Sequence, residues 1–190
     1  MSPMEPQRIW TVGHSTRSGP SFVALLKHYG IEMIADVRRH PGSRRLPQFM
    51  SETLQAALEE QGIGYRWLGE LGGRRRASTD SPASAWRNPS FRGYAEHLKS
   101  AEFAAGLQHL LSLAAERPTA MMCAEVLWWR CHRALISDVM KLDGIEVLHI
   151  QDEQRLTVHP YTTPARLEKG ELSYVEGAGK PLKSVTDTAP

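Results

Sequence analysis

Residues 9–42 read IWTVGHSTRSGPSFVALLKHYGIEMIADVRRHPG, and this stretch decides the fold. It opens with IWTV, a short apolar run that ends in Gly13-His14-Ser15, as a buried strand followed by a turn would. Pro20 and Ser21 then open a helix. Phe22, Leu25, Leu26 and Tyr29 recur at i, i+3, i+4 and i+7, which is one apolar stripe, and Gly30 stops it. IEMIADV (31–37) is a second strand that runs into RRHPGSRRLPQ, whose Pro and Gly mark a loop. Strand, helix and strand thus follow one another with enough chain between the strands for a crossover.

The same alternation continues outward. Ser51 is placed to cap a helix, SETLQAALEEQ, which turns Leu54, Ala57 and Leu58 inward and ends at Gly62. Residues 63–68 form a third strand, followed by the loop ELGGRRR. The segment ASTDSPASAWRNPS is rich in Ser, Pro and Ala and reads as a flexible surface excursion. A helical pattern over 94–115 breaks near Ser100. Residues 119–124 are a fourth strand, 133–142 a helix, and 145–150 a fifth strand. The expected fold is therefore α/β: a three-layer, Rossmann-like domain with a mainly parallel five-stranded sheet and helices on both faces. It would occupy residues 1–150. Residues 151–190, where periodicity fades, would be a partly irregular C-terminal extension containing a hairpin or an extended tail.

The bulk numbers agree with one globular domain. The 190 residues are 41% hydrophobic and 23% charged, ordinary for a soluble protein, and no apolar run approaches the ~20 residues that cross a bilayer. MSPMEPQRIW has no apolar leader, and two cysteines are too few for a disulfide framework. The expectation is a cytoplasmic, reduced protein with no membrane partner. A net charge of +2 does not imply wholesale nucleic-acid binding, but the arginines cluster at 38–45 and 74–76, where their planar forks suit phosphate or carboxylate. A solvated basic face is the bland reading of any one of them.

In open α/β sheets, ligands bind beyond the carboxyl ends of the strands. Here every strand delivers polar residues at that end: His14 and Ser15; Asp36, Arg38, Ser43 and Arg44; Gly72, Gly73 and Arg74; Cys123 and Glu125; and His149. Polar groups at all five ends indicate a site.

These residues also form motifs. TVGHS, ADVRRHPGSRR, LGGRR, MCAE followed six residues later by CHRALI, and then VLHI resemble, in this order, the bacterial and archaeal family called domain of unknown function 488. The resemblance runs over residues 11–151. It implies a three-layer, Rossmann-like α/β fold and a set of motif residues, and it supplies no reaction. The loop VLWWR between Glu125 and Cys131 inherits no role from it.

The stretch MMCAEVLWWRCHRALI (121–136) admits three readings. Cys123, Cys131 and His132 are ligand types for zinc or iron, but the spacing has no C-x2-C or H-x3-H pair. Cys131 and His132 would also diverge if both lay on one helix. No cofactor is therefore expected. In the second reading Cys131, at a helix N-terminus beside Arg130 and Arg133, is a thiol of lowered pKa. The third is a pocket for a phosphate-bearing small molecule or nucleic-acid fragment. Arg38, Arg44, Arg74 and Arg133 would hold the anion, Gly72 and Gly73 would admit its approach, and Tyr65, Trp67, Trp128 or Trp129 would stack on a base. Asp36 and Glu125 would be the acid–base pair, with Cys131 and His132 beside them. Against this stands a plain ion-pair network in which Asp36 neutralises Arg38 and Glu125 neutralises Arg133. Ser15 and Ser43 lack the order of a serine hydrolase triad. The leading expectation is a small hydrolase or transferase acting on a nucleotide or nucleic-acid component. The alternatives are a non-catalytic anion-binding or regulatory module and a metal- or thiol-based redox sensor.

Overall fold

The computed structural model describes residues 7–42 and 44–182. Ser43, expected among the ligand-binding residues, lies outside them. β1 (Arg8–Gly13) leads into α1 (Gly19–His28) and β2 (Met33–Asp36). α2 (Ser51–Glu59) and β3 (Gly64–Trp67) follow, then α3 (Pro89–His97), α4 (Ala101–Glu116), β4 (Thr119–Cys123), α5 (Arg133–Leu142) and β5 (Glu146–Ile150).

Local chemistry sets most of these boundaries. The Ser18 side chain caps α1 by accepting from Ser21 N, and Pro20 sits in the first turn, where its missing N–H costs nothing. Ser100 breaks the long helical pattern because its hydroxyl accepts from Phe103 N and starts α4. Ser51, expected as a cap, is instead the first residue of α2. Met50 takes the cap position, and Ser51 N donates to Pro41 O at 2.9 Å.

The main sheet is mainly parallel, as expected, but it has six strands rather than five, in the order β3-β2-β4-β1-β5-β6, because β6 (Leu156–Val158) adds antiparallel to β5. β4 also lies between β1 and β2, which are neighbours in the dinucleotide-binding fold. Side chains alternate between two cores. Val12, Ile34, Ala120, Met122 and Ile150 pack with α1 and α2 residues such as Phe22 and Leu58. Ile9, Ala35, Met121 and Val147 pack with Tyr94, Phe103, Leu110 and Ile136 from α3, α4 and α5.

The C-terminal extension belongs to the second core. β7 (Arg166–Glu168), β8 (Glu171–Ser173) and β9 (Lys180–Pro181) form a small antiparallel sheet, and Ala165 and Tyr174 join the α3–α5 cluster. The Ser/Pro-rich excursion has little regular structure, yet it is fastened. Ser78 N and Oγ donate to the Glu96 carboxylate, Ala85 N donates to Tyr174 O, and Trp86 packs on Phe91 and Tyr174. No helix among the described residues is long and apolar enough to cross a membrane.

Candidate functional site

β1 and β4 are parallel neighbours, with Gly13 in register with Cys123. The chain leaves β1 toward α1 on one face and leaves β4 toward α5 on the other, which opens a crevice at their carboxyl ends. Such a switch point is where open α/β sheets bind ligands. Backbone bonds close its base: His14 N donates to Cys123 O and Ser15 N to Ala124 O, both at 2.9 Å. Only glycine fits at 13, since a β-carbon there would sit 2.0 Å from the Glu125 carbonyl oxygen.

Beyond β4 the chain makes a 3-10 turn at Trp128–Arg130 and reaches Cys131, which is extended (φ −126°, ψ 148°) rather than helical. That conformation undoes the expected divergence of Cys131 and His132. Their Sγ and Nδ1 atoms lie 3.5 Å apart, and with Cys123 Sγ all three atoms fall within 4.8 Å of one another. His132 Nε2 lies 2.9 Å from Val37 O. A carbonyl can only accept, so Nε2 carries a proton, and Nδ1 is the ring nitrogen turned toward the sulfurs. Gly73 makes room for this ring, because a β-carbon would approach Nδ1 to 2.7 Å.

Arg133 is fully buried and forms no ion pair among the described residues. Its Nε donates to Cys131 Sγ at 3.3 Å, its Nη1 to Thr11 Oγ1 at 3.3 Å, and its Nη2 to the backbone carbonyl of Glu125. The Glu125–Arg133 ion pair of the plain-network alternative is thus a main-chain contact. From Thr11 a buried chain continues. Thr11 Oγ1 meets His149 Nδ1 at 2.7 Å, His149 Nε2 meets His159 Nδ1 at 2.8 Å, and His159 Nε2 meets Asp138 Oδ1 at 3.0 Å. Asp138 can only accept when ionised, which orients every donor from Arg133 toward Asp138. Asp138 is completed by Thr162 and Tyr174 OH. Burial drives His149 down to about 2, helped by His159 and Arg133, so it is neutral. Trp128 stacks on His149 at 4.4 Å, which gives the VLWWR loop an architectural role.

A second buried network stands beside the first. Asp36, fully buried, accepts from Arg38 N and Nε at 3.0 and 2.9 Å, from Arg38 Nη2 at 2.5 Å and from Tyr65 OH at 2.7 Å. Arg38 Nη1 donates to Phe49 O at 2.8 Å and lies 3.3 Å from His14 Nε2. His14 donates through Nδ1 to Ser15 O and stacks on Phe49. Burial, opposed by that bond and reinforced by Arg38, lowers it to about 4.

A cleft of about 490 Å³ opens over the crevice. Cys123, Cys131 and His132 line it together, with Arg38, Arg39, His40, Arg74, Glu125 and Arg130 also in the lining. Arg39, Arg74 and Arg130 form no ion pair among the described residues. Glu125 is exposed, and its Oε1 accepts from Leu127 N at 3.0 Å. The two thiols are set apart. Burial raises the Cys131 thiol, but the Cys123 hydrogen bond, Arg133 and His132 overcome this and hold it well below the usual range. Cys123 is pushed up, first by its hydrogen bond to Cys131 and then by burial.

The cleft thus gathers Arg38, Gly73, Arg74, Cys123, Glu125, Cys131 and His132 from the expected set. Asp36, His14, Ser15 and Arg133 lie behind it. Gly72 packs against the Arg39 backbone, and Arg44 is exposed outside the lining. Of the aromatic candidates, Tyr65 bonds Asp36, Trp67 Nε1 bonds Arg38 O, and none lines the cleft, where the aromatic ring is Phe91. Thr11, Asp138 and His159 went unforeseen. A charge inside a helix stripe was the one available signal, and it marked Asp138 alone. A larger groove of about 630 Å³ between α3, α5 and β8 has no such cluster of sulfur and nitrogen ligands.

A family model described as domain of unknown function DUF488 matches residues 20–140. No curated protein and no solved structure matches the chain.

Proposed function

The chain belongs to the domain of unknown function 488 family, and on that premise we propose that it is a small enzyme acting on a phosphate-bearing ligand, a nucleotide or nucleic-acid component, by hydrolytic or transfer chemistry. One observation carries this reading: three arginines that form no ion pair among the described residues and an exposed carboxylate line the same cleft at the switch point of the sheet. Arg39, Arg74 and Arg130 hold the phosphate, and His40 adds a donor at the rim. Glu125 is the acid–base group. Its Oε1 is oriented by Leu127 N, while its exposure keeps the other oxygen available for proton transfer. Asp36 is a positioning residue in this scheme, since its oxygens are saturated by Arg38 and Tyr65. A pure anion receptor has no use for Glu125 beside the arginines, and that separates the two classes.

The test is turnover across a panel of nucleotides and phosphorylated nucleosides, with binding followed by calorimetry. Arg74→Ala and Arg130→Ala should each weaken binding by about tenfold, the cost of one charge-assisted contact. Glu125→Gln should bind normally and lose about 100-fold or more in turnover, as removal of a general acid–base group does. Full turnover in Glu125→Gln would remove that carboxylate from the chemistry. Binding without turnover of any panel member would make the protein a receptor, and no binding at all would end the phosphate reading.

A further inference from the structure

The wall of the cleft carries more than anion-binding chemistry. We propose that Cys123 Sγ, Cys131 Sγ and His132 Nδ1 bind a zinc ion whose fourth coordination position opens into the cleft. The role of that open position rests on the cleft being the working site; the binding of the ion does not.

Distance is the first support. Zn–S bonds of about 2.3 Å and Zn–N bonds of about 2.0–2.1 Å at tetrahedral angles put a sulfur and a nitrogen ligand about 3.6 Å apart. Cys131 Sγ and His132 Nδ1 are 3.5 Å apart, and all three ligand atoms lie within 4.8 Å of one another. Closing the triad onto an ion needs side-chain adjustment only.

The second support is independent of distance. A metal-bound histidine donates its other ring N–H to a carboxylate or a backbone carbonyl, which fixes its tautomer. His132 does this already: Nε2 is 2.9 Å from Val37 O, which turns Nδ1 toward the two sulfurs. Gly73 holds the adjoining space clear, since any β-carbon there would lie 2.7 Å from Nδ1. Arg133 Nε contributes the matching outer bond on the sulfur side, at 3.3 Å from Cys131 Sγ.

The ligand set selects the ion. Two thiolates and an imidazole are soft to borderline donors, which suit zinc and disfavour magnesium and calcium. Three protein ligands rather than four, all on the wall of one cleft, match zinc sites that keep a position for water or substrate.

The experiment uses the full chain, purified under a non-thiol reductant without chelator, stripped to the apo form and titrated with zinc and with cobalt(II). One zinc per chain is expected. Cobalt should give thiolate-to-metal charge transfer together with the visible bands of a tetrahedral site. Cys123→Ser, on the half-buried cleft wall, and His132→Gln should each weaken zinc binding by about tenfold or more, with circular dichroism confirming that the variants fold. Thiocyanate should shift the cobalt bands if the fourth position is open. Unchanged zinc affinity in folded Cys123→Ser, or a cobalt spectrum without thiolate charge transfer, would overturn the site. A spectrum indifferent to thiocyanate would overturn its open position. Thiolate-bound zinc in a protein that turns over no phosphate ligand would leave the metal site standing and defeat the enzyme reading. Glu125-dependent turnover in a chain that binds no zinc would do the reverse.

Discussion

Two carboxylates that looked equivalent in the sequence occupy opposite environments. Asp36 and Glu125 each follow an apolar strand, so their position beyond a strand end was legible. Their roles were not, because burial depends on what crosses above them. Asp36 has no exposed surface and neutralises Arg38, whereas Glu125 is exposed and has no ion-pair partner among the described residues. Removing one partner of a buried pair leaves an uncompensated charge. Asp36→Asn should therefore destabilise the fold by about 3–5 kcal/mol, while Glu125→Gln should stay within about 0.5 kcal/mol of wild type. Urea unfolding of both variants checks this. A small loss for Asp36→Asn would show that Arg38 finds another partner. Thr11, His159 and Asp138 were hidden for a related reason: their bonds join residues 10 to 138 positions apart, and no local pattern records such bonds.

At the scale of elements, β3 (Gly64–Trp67) is only weakly apolar and α3 begins at Pro89, inside the Ser/Pro-rich excursion, but the other long strands and helices were readable because each carries a clear apolar run or stripe. β6 was not, since its three residues are all exposed and show no alternation. β7, β8 and β9 are also only two or three residues long, too short for a period to register. Strand order was equally hidden. Adjacency of β1 and β4, which brings Gly13 beside Cys123 and creates the crevice, depends on where the crossovers land. That adjacency makes a specific prediction. In Gly13→Ala the new β-carbon meets the Glu125 carbonyl oxygen at 2.0 Å, a backbone atom that cannot rotate aside. The end of β1 must separate from residues 124–126, at about 1–3 kcal/mol or more for overpacking. Glu125 should shift with it, so turnover should fall even where the variant folds. Wild-type stability and turnover in Gly13→Ala would mean that this junction is softer than its packing indicates.

For the whole molecule, the buried histidines set the response to acid. His14, His97, His149 and His159 all have lowered pKa values with burial as the first cause, from the usual 6.5 to about 4 for His14 and about 2 for His149. They sit on both networks and on α3, so no single element carries the effect. Each binds its proton more readily in the unfolded chain than in the fold. Their contribution to stability is thus complete above pH 6.5 and is lost as pH falls through the window from about 6.5 to about 4, with His149 extending the loss lower. One extra proton on the unfolded side corresponds to about 1.4 kcal/mol per pH unit, which makes about 3.5 kcal/mol an upper value for His14 alone. Arg133, Arg38 and Lys141 lie near these rings and oppose their protonation, whereas Asp138 and Asp36 favour it. Burial outweighs the carboxylates at every one of these histidines. Urea midpoints between pH 7.5 and 4.5 should therefore fall steeply below about pH 6.5, and His14→Gln should flatten the slope by about one proton. A profile level from pH 7 to pH 5 would mean that the rings gain their protons without unfolding, and that the two networks admit charge that their packing excludes.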